Sequence, residues 1–224
     1  MECNETLKSQ IRTNLTAFDY VQDKDPEHRR AAVAVLVTDV GPGTDLPGIE
    51  DIEGWSSQAA LMLTRRSEKL RNHPGQWAFP GGRVDPGETL VETALRELSE
   101  EVAVDLPESH VLGFLDDFIT RSGFAMTPVV VWGGPTLEAQ PNPDEVASIH
   151  RIPIEEFFRD DAPLLDENDT SEHPILRMPV GDDYIAAPPP TLTRHTHTMP
   201  RPAMGMTSQQ TWCHKRPIQH HLLA

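Results

Sequence analysis

The sequence predicts an α+β fold, a β-sheet with helices packed on it, from three observations. Residues 31–38 (AAVAVLVT) form a run of small and branched apolar side chains ending in a turn-forming cluster, as a buried central strand requires. Leu90, Val91, Ala94, Leu95, Leu98 and Val102 recur at steps of three and four, so a helix through them buries one stripe. Residues 111–120 and 124–132 are apolar segments joined by Arg121-Ser122-Gly123, a hairpin signature.

The remaining elements follow in order. Residues 7–18 suit a short amphipathic helix, and 23–30 form a charged connection containing a proline. Residues 39–57, with GPGTDLPG and several acids, predict a long exposed loop or hairpin tip. Strand character returns over 58–66 through Ala59, Leu61 and Leu63, and this strand is expected to pair with the first. Residues 133–144 are a Pro/Gly loop, 145–153 alternate as a strand does, 154–158 begin like a helix, and 165–170 are an acidic loop.

A chain of 224 residues supports one substantial core. A net charge of -16 argues against nucleic-acid binding, which needs a basic surface to neutralise phosphates. No apolar run reaches the ~20 residues of a membrane span, and the polar start MECNETLKSQ lacks a signal-peptide core, so a cytoplasmic protein without a membrane partner is expected. Cys3 and Cys213 lie far apart and outside any metal-ligand spacing, and both read as bystanders. The charge is uneven: residues 1–186 carry 15 Lys/Arg and 35 Asp/Glu, whereas 187–224 carry 4 and none. That last stretch has 6 Pro and 5 His in 38 residues without helical or strand periodicity, and it predicts a disordered or aberrant tail, such as a frameshift leaves, on a domain spanning 1–186.

Chemistry concentrates in residues 82–104. At 3.6 residues per turn Glu97, Glu100 and Glu101 share one helix face. Three carboxylates in little more than one turn repel unless a cation lies between them, and hard oxygen ligands in that number suit Mg²⁺ or Mn²⁺. Mg²⁺ usually keeps waters and bridges to phosphates, which points to a phosphorylated substrate and phosphoanhydride chemistry. A solvated acidic face is the commoner meaning of such charges, but the fixed intervals and the preceding Phe-Pro-Gly-Gly turn favour a site.

Those intervals resemble the Nudix box: Gly, five residues, Glu, seven residues, then Arg-Glu-aliphatic-any-Glu-Glu-any-Gly-aliphatic. Gly82, Glu88, Arg96, Glu97, Leu98, Glu100, Glu101 and Val104 meet it. Ala103 stands where the family has Gly, a position suited to the left-handed backbone at a helix C-terminus, where alanine costs about 1 kcal/mol. The resemblance implies a Nudix-type α/β/α sandwich with a mixed β-sheet, and Glu97, Glu100 and Glu101 as ligands of Mg²⁺ or Mn²⁺. It further implies catalytic roles for Glu97, for Arg96 as its orienting partner, and for Glu145, similar to an additional loop carboxylate of many members. Glu88 is expected to brace the loop or Arg96.

Upstream, Arg65, Arg66, Lys69, Arg71 and His73 crowd nine residues of an otherwise acidic chain, as a polyanionic ligand or a solvated basic loop would require. Leu63-Thr64, Arg66-Ser67, Leu70, His73, Gly75-Gln76 and Phe79-Pro80-Gly81-Gly82 are similar to the extra motif of coenzyme A diphosphatases. That implies substrate binding by Arg66, Ser67, His73, Gln76, Gly81 and Gly82, with coenzyme A or acyl-CoA cleaved to 3',5'-ADP and 4'-phosphopantetheine. Trp77 and Phe79 read as core. Another nucleoside diphosphate derivative, such as ADP-ribose or NADH, and a non-catalytic nucleotide-binding module stay open as alternatives; the partner is a small molecule, with a homodimer possible.

Overall fold

A computed structural model describes residues 1–42, 46–49, 52–120, 122–161, 164–166 and 175–187. Its main sheet is mixed. β1 (Arg29–Asp39) runs parallel to β7 (Phe124–Gly134), from Arg29 opposite Phe124 to Thr38 opposite Gly134. The other pairings are antiparallel: β1 with β2 (Ala59–Arg66), β2 with β8 (Val146–Pro153), and β7 with β5 (Val111–Phe114) and β6 (Phe118–Ile119).

The strand period of two divides β1 between two cores. Val35 and Val37, with Leu61, Leu63, Val130 and Trp132, face Leu7, Ile11 and Leu15 of α1 (Glu5–Ala17). Ala32, Ala34 and Leu36, with Met62, Val129 and Val131, face Ala94, Leu98 and Val102 of α2 (Leu90–Val102). A helix on each side of the sheet makes the expected α/β/α sandwich, and an unbroken apolar run is what a strand buried on both faces requires.

One feature of the sheet builds the site. β1 and β2 pair only over Leu36–Asp39 and Ala59–Met62, then part like a fork. Two short strands fill the gap: β3 (Trp77–Ala78) on β2, and β4 (Gly81–Arg83) on β1, with Ala31 opposite Arg83 and Val33 opposite Gly81. The Ala34 N–H donates to the Pro80 carbonyl between them, at 2.8 Å.

Several expectations change. Residues 111–120 do not form one strand: the register slips between Val111 and Gly113, and Asp116 and Asp117 leave the sheet to accept the Val21 and Asp23 N–H groups at 2.7 and 2.8 Å. Residues 154–158 close as a single 3-10 turn (Ile154–Phe158) instead of a longer helix. The loop expected at 165–170 begins inside a strand, β9 (Leu164–Asp166), paired with β10 (Ile175–Val180) and through it β11 (Asp183–Ala187); residues 167–170 lie outside the described residues. The segment after β1 joins the antiparallel pair β1–β2, as a hairpin tip does, but it is docked and not exposed throughout, since Val40 and Leu46 are buried and the Asp182 N–H donates to Pro47.

Cys3 is buried, and its thiol is pushed up to about 12, chiefly by burial, so it is inert at neutral pH. Cys213 and the tail from 188 lie outside the described residues. Among those described, no helix is long and apolar enough to cross a membrane.

Candidate active site

α2 is fixed at both ends. Thr89 accepts the Glu92 N–H at 3.2 Å while the Glu92 carboxylate accepts the Thr89 N–H at 2.7 Å, a capping box that the Thr-x-x-Glu spacing encodes. At the other end Ala103 takes the left-handed conformation, φ 56 and ψ 37, and donates to Ser99 at 3.1 Å. The loop before β8 supplies the remaining donors: Asn142 Nδ2 to Glu100 O at 3.2 Å, Asn142 N to Glu101 O and Gln140 N to Val102 O at 2.9 Å. All four carbonyls that a helix C-terminus leaves unpaired are thereby satisfied.

The same loop brings in Glu145. The Asn142 carbonyl accepts the Glu145 and Val146 N–H groups, and the Glu145 carbonyl accepts the Ser67 N–H at 2.8 Å. Asn142 thus ties Glu145 to α2 and to the end of β2. No local pattern marks it, because Ser67 lies 78 residues away in the chain and the contacts of Asn142 with α2 span about forty.

Glu97 and Glu101, one turn apart, are both buried, at 8% and 4% exposure. Glu97 rests on Gly82, where an added Cβ would overlap its carboxylate, and the Gly81 backbone lies by Glu101 and favours its charged form. The two glycines of β4 are therefore what lets the carboxylates approach the sheet. Glu100 does not join them, contrary to the shared face expected from spacing. Its side chain is 55% exposed and bound to Arg96 Nη1 at 3.0 Å.

Arg96 organises this side of the helix. Nη1 also donates to Glu97 Oε1 at 2.9 Å, Nε and Nη2 fork onto Glu88 at 2.7 and 3.1 Å, and Nη2 reaches the Arg83 carbonyl at 3.1 Å. Glu88 in turn accepts from Thr93 Oγ1 and the Asp85 N–H, so it braces both the loop and the arginine. The guanidinium holds the Glu88 carboxyl down at about 2.

The buried pair has the opposite electrostatics. Burial first, then the charges of Glu97 and Glu145, push Glu101 up to about 8, against Arg66 and the Gly81 backbone. Glu97 is raised too, burial outweighing its bond to Arg96. Arg66 faces Glu101 with its Nε buried and without a hydrogen-bond partner among the described residues.

The proposed binding residues separate into two groups. Arg66, Ser67, Gly81 and Gly82 lie against the carboxylates and Glu145. His73, with φ 56, and Gln76 are exposed on the β2–β3 connection, where the Gln76 carbonyl accepts the Arg66 N–H at 2.9 Å. Trp77 and Phe79 pack against the α1-side core.

Among the described residues no three His, Cys, Asp or Glu side chains converge as a ready metal cage, since Arg96 occupies one oxygen each of Glu97 and Glu100. The chemistry of the donors nonetheless fits a hard divalent cation: two desolvated carboxylates lie side by side and stay raised in pKa despite Arg96 and Arg66 beside them.

The chain matches a family model described as NUDIX domain over residues 52–175. It is 47% identical over 103 residues to a protein of Yersinia enterocolitica described as an uncharacterized Nudix hydrolase NudL, covering 46% of this chain and 53% of that one. A protein of the same description from Pectobacterium atrosepticum is 48% identical over 99 residues, 44% of this chain and 52% of the other. The chain thus spans about half the length of these relatives. Among solved structures, a MutT/nudix family protein from Enterococcus faecalis superposes with a TM-score of 0.42 at 17% identity, covering 80% of this chain and 57% of that one. With the family model spanning more than half of it, this chain belongs to the NUDIX domain family.

Proposed function

We propose that the protein hydrolyses the diphosphate bond of coenzyme A or acyl-CoA, giving 3',5'-ADP and 4'-phosphopantetheine, with residues 1–186 as the catalytic unit. One observation carries this reading: the segment resembling the coenzyme A diphosphatase motif and the box helix meet at one place. Ser67 N bonds Glu145 O, Arg66 faces Glu101, and Gly81 and Gly82 lie under Glu101 and Glu97.

Glu97 and Glu101 would hold a divalent cation, joined by Glu100 once its carboxylate leaves Arg96. Bound there, Mg²⁺ or Mn²⁺ would polarise the diphosphate and acidify a water. Arg96 fixes the Glu97 carboxylate in its place over Gly82. Arg66, with an unused buried N–H, donates to a phosphoryl oxygen and stabilises the charge that develops there. Glu145, exposed and tethered at its backbone, takes the proton from the attacking water.

The test is to incubate the full chain and Mg²⁺ separately with coenzyme A, ADP-ribose and NADH and identify products by mass spectrometry. Coenzyme A should yield the two named products. Cleavage of ADP-ribose with coenzyme A left intact would refute the substrate.

A further inference from the structure

Two exposed arginines meet on one aromatic ring outside the carboxylate cluster. The register of β1 with β7 sets Arg29 opposite Phe124, and that of β1 with β4 sets Arg83 opposite Ala31. The guanidinium carbon of Arg29 lies 4.0 Å from the Phe124 ring centroid, and that of Arg83 lies 5.1 Å from it. Like charges held together repel, and in a chain of net charge -16 an acidic partner would be easy to supply. None is: among the described residues neither arginine makes an ion pair, whereas Arg30, Arg96 and Arg159 each do.

The ring also leaves the useful part of each cation free. Stacking engages the face of a guanidinium, while its five N–H donors point outward in its plane, where they fork onto phosphate or carboxylate oxygens. Arg29 gives Nη2 to the Ser122 carbonyl at 2.6 Å; the Arg83 guanidinium donates no hydrogen bond among the described residues.

Position decides what such a pair can hold. Arg83 directly follows Gly82, on which Glu97 rests, and its own carbonyl is bound by Arg96. Neighbouring residues of a strand project to opposite faces, so the Arg83 side chain leads away from the carboxylates on the far side of β4. It therefore suits a charged group of the substrate other than the diphosphate at the carboxylates. Two neighbouring cations are engaged elsewhere, Arg65 stacking on Trp77 and donating to Gly75 O and Lys69 pairing with Asp144, while Arg66 faces Glu101 and belongs to the diphosphate.

We propose that Arg29 and Arg83, aligned on Phe124, form a subsite for a phosphomonoester group that the substrate carries besides its diphosphate. The inference rests on the reading of the protein as a hydrolase of a phosphorylated nucleotide derivative, and it names which side chains distinguish a substrate with that extra phosphate from one without.

The experiment is calorimetric titration of adenosine 3',5'-bisphosphate and of AMP into the Mg²⁺-loaded full chain, its Arg83→Gln variant and the Arg29→Gln/Arg83→Gln double variant. Wild type should bind the bisphosphate at least about tenfold more tightly than AMP, the strength expected of charge-assisted forks. The double variant should lose that preference to within about twofold, with AMP affinity unchanged, and Arg83→Gln should fall between. A preference that survives in the double variant, or no preference in wild type, overturns the subsite. Coenzyme A hydrolysis by the same preparations separates the two ideas. A wild type that prefers the bisphosphate but leaves coenzyme A intact keeps the subsite and loses the substrate; one that cleaves coenzyme A and keeps its preference without the arginines does the reverse.

Discussion

Glu101 is buried at 4% exposure beside a second carboxylate, and that pairing opposes folding unless a cation compensates it. Its carboxyl sits at about 8 in the fold against an ordinary 4.5. Between these values the unfolded chain has released a proton that the folded chain still holds, so raising the pH favours the unfolded state. Stability of the metal-free protein should therefore fall as pH climbs from about 4.5 to about 8 and then level off. Glu101→Gln removes the share of that dependence that Glu101 contributes and leaves the share of Glu97. Denaturant unfolding in chelator across this range, on both proteins, should give curves that diverge toward pH 8, and parallel curves would mean the carboxyl is not held protonated. The i, i+3, i+4 spacing made Glu97 and Glu101 legible as neighbours. It could not foresee that Glu100 turns outward, because that depends on Arg96 competing for its oxygen.

At the scale of elements, α2 is the most sequence-determined part of the chain. Its apolar stripe and its caps act over short distances, and the stripe alone sufficed to predict it. Its C-terminus stores a small strain in Ala103, held at φ 56 where a side chain is disfavoured. Ala103→Gly should raise stability by about 1 kcal/mol, read by denaturant unfolding, while the carboxylates stay in place. A variant no more stable than wild type would show that the loop at Gln140 and Asn142 already relieves the strain. The short strands β3 and β4 were not legible. Two or three residues carry no usable periodicity, and they are strands only because β1 and β2 part and leave donors and acceptors to be filled. The break at Asp116 and Asp117 was hidden for a similar reason, since residues near Val21 and Asp23, ninety-odd positions away, capture it.

Across the whole molecule, the forked sheet brings together segments that the sequence presents as separate motifs. β4 carries Gly81 and Gly82 under α2, the end of β2 carries Arg66 and Ser67, and the loop before β8 closes the third side with Glu145. The α/β/α sandwich was expected from the resemblance of the box, and the apolar run 31–37 of β1, covered on both faces, agrees with it. The meeting of three distant segments was not legible, being a product of long-range pairing. We propose that this meeting place hydrolyses the diphosphate of coenzyme A through the buried carboxylates of α2. The most direct measurement is coenzyme A turnover with Mg²⁺ by wild type and by Glu101→Gln, alongside the melting temperature of each. Wild type should release 3',5'-ADP and 4'-phosphopantetheine, and the variant should lose at least about a hundredfold in turnover, as expected when a group that fixes the reacting geometry is removed, while melting no lower. Intact coenzyme A with wild type, or a variant as active as wild type, would contradict it.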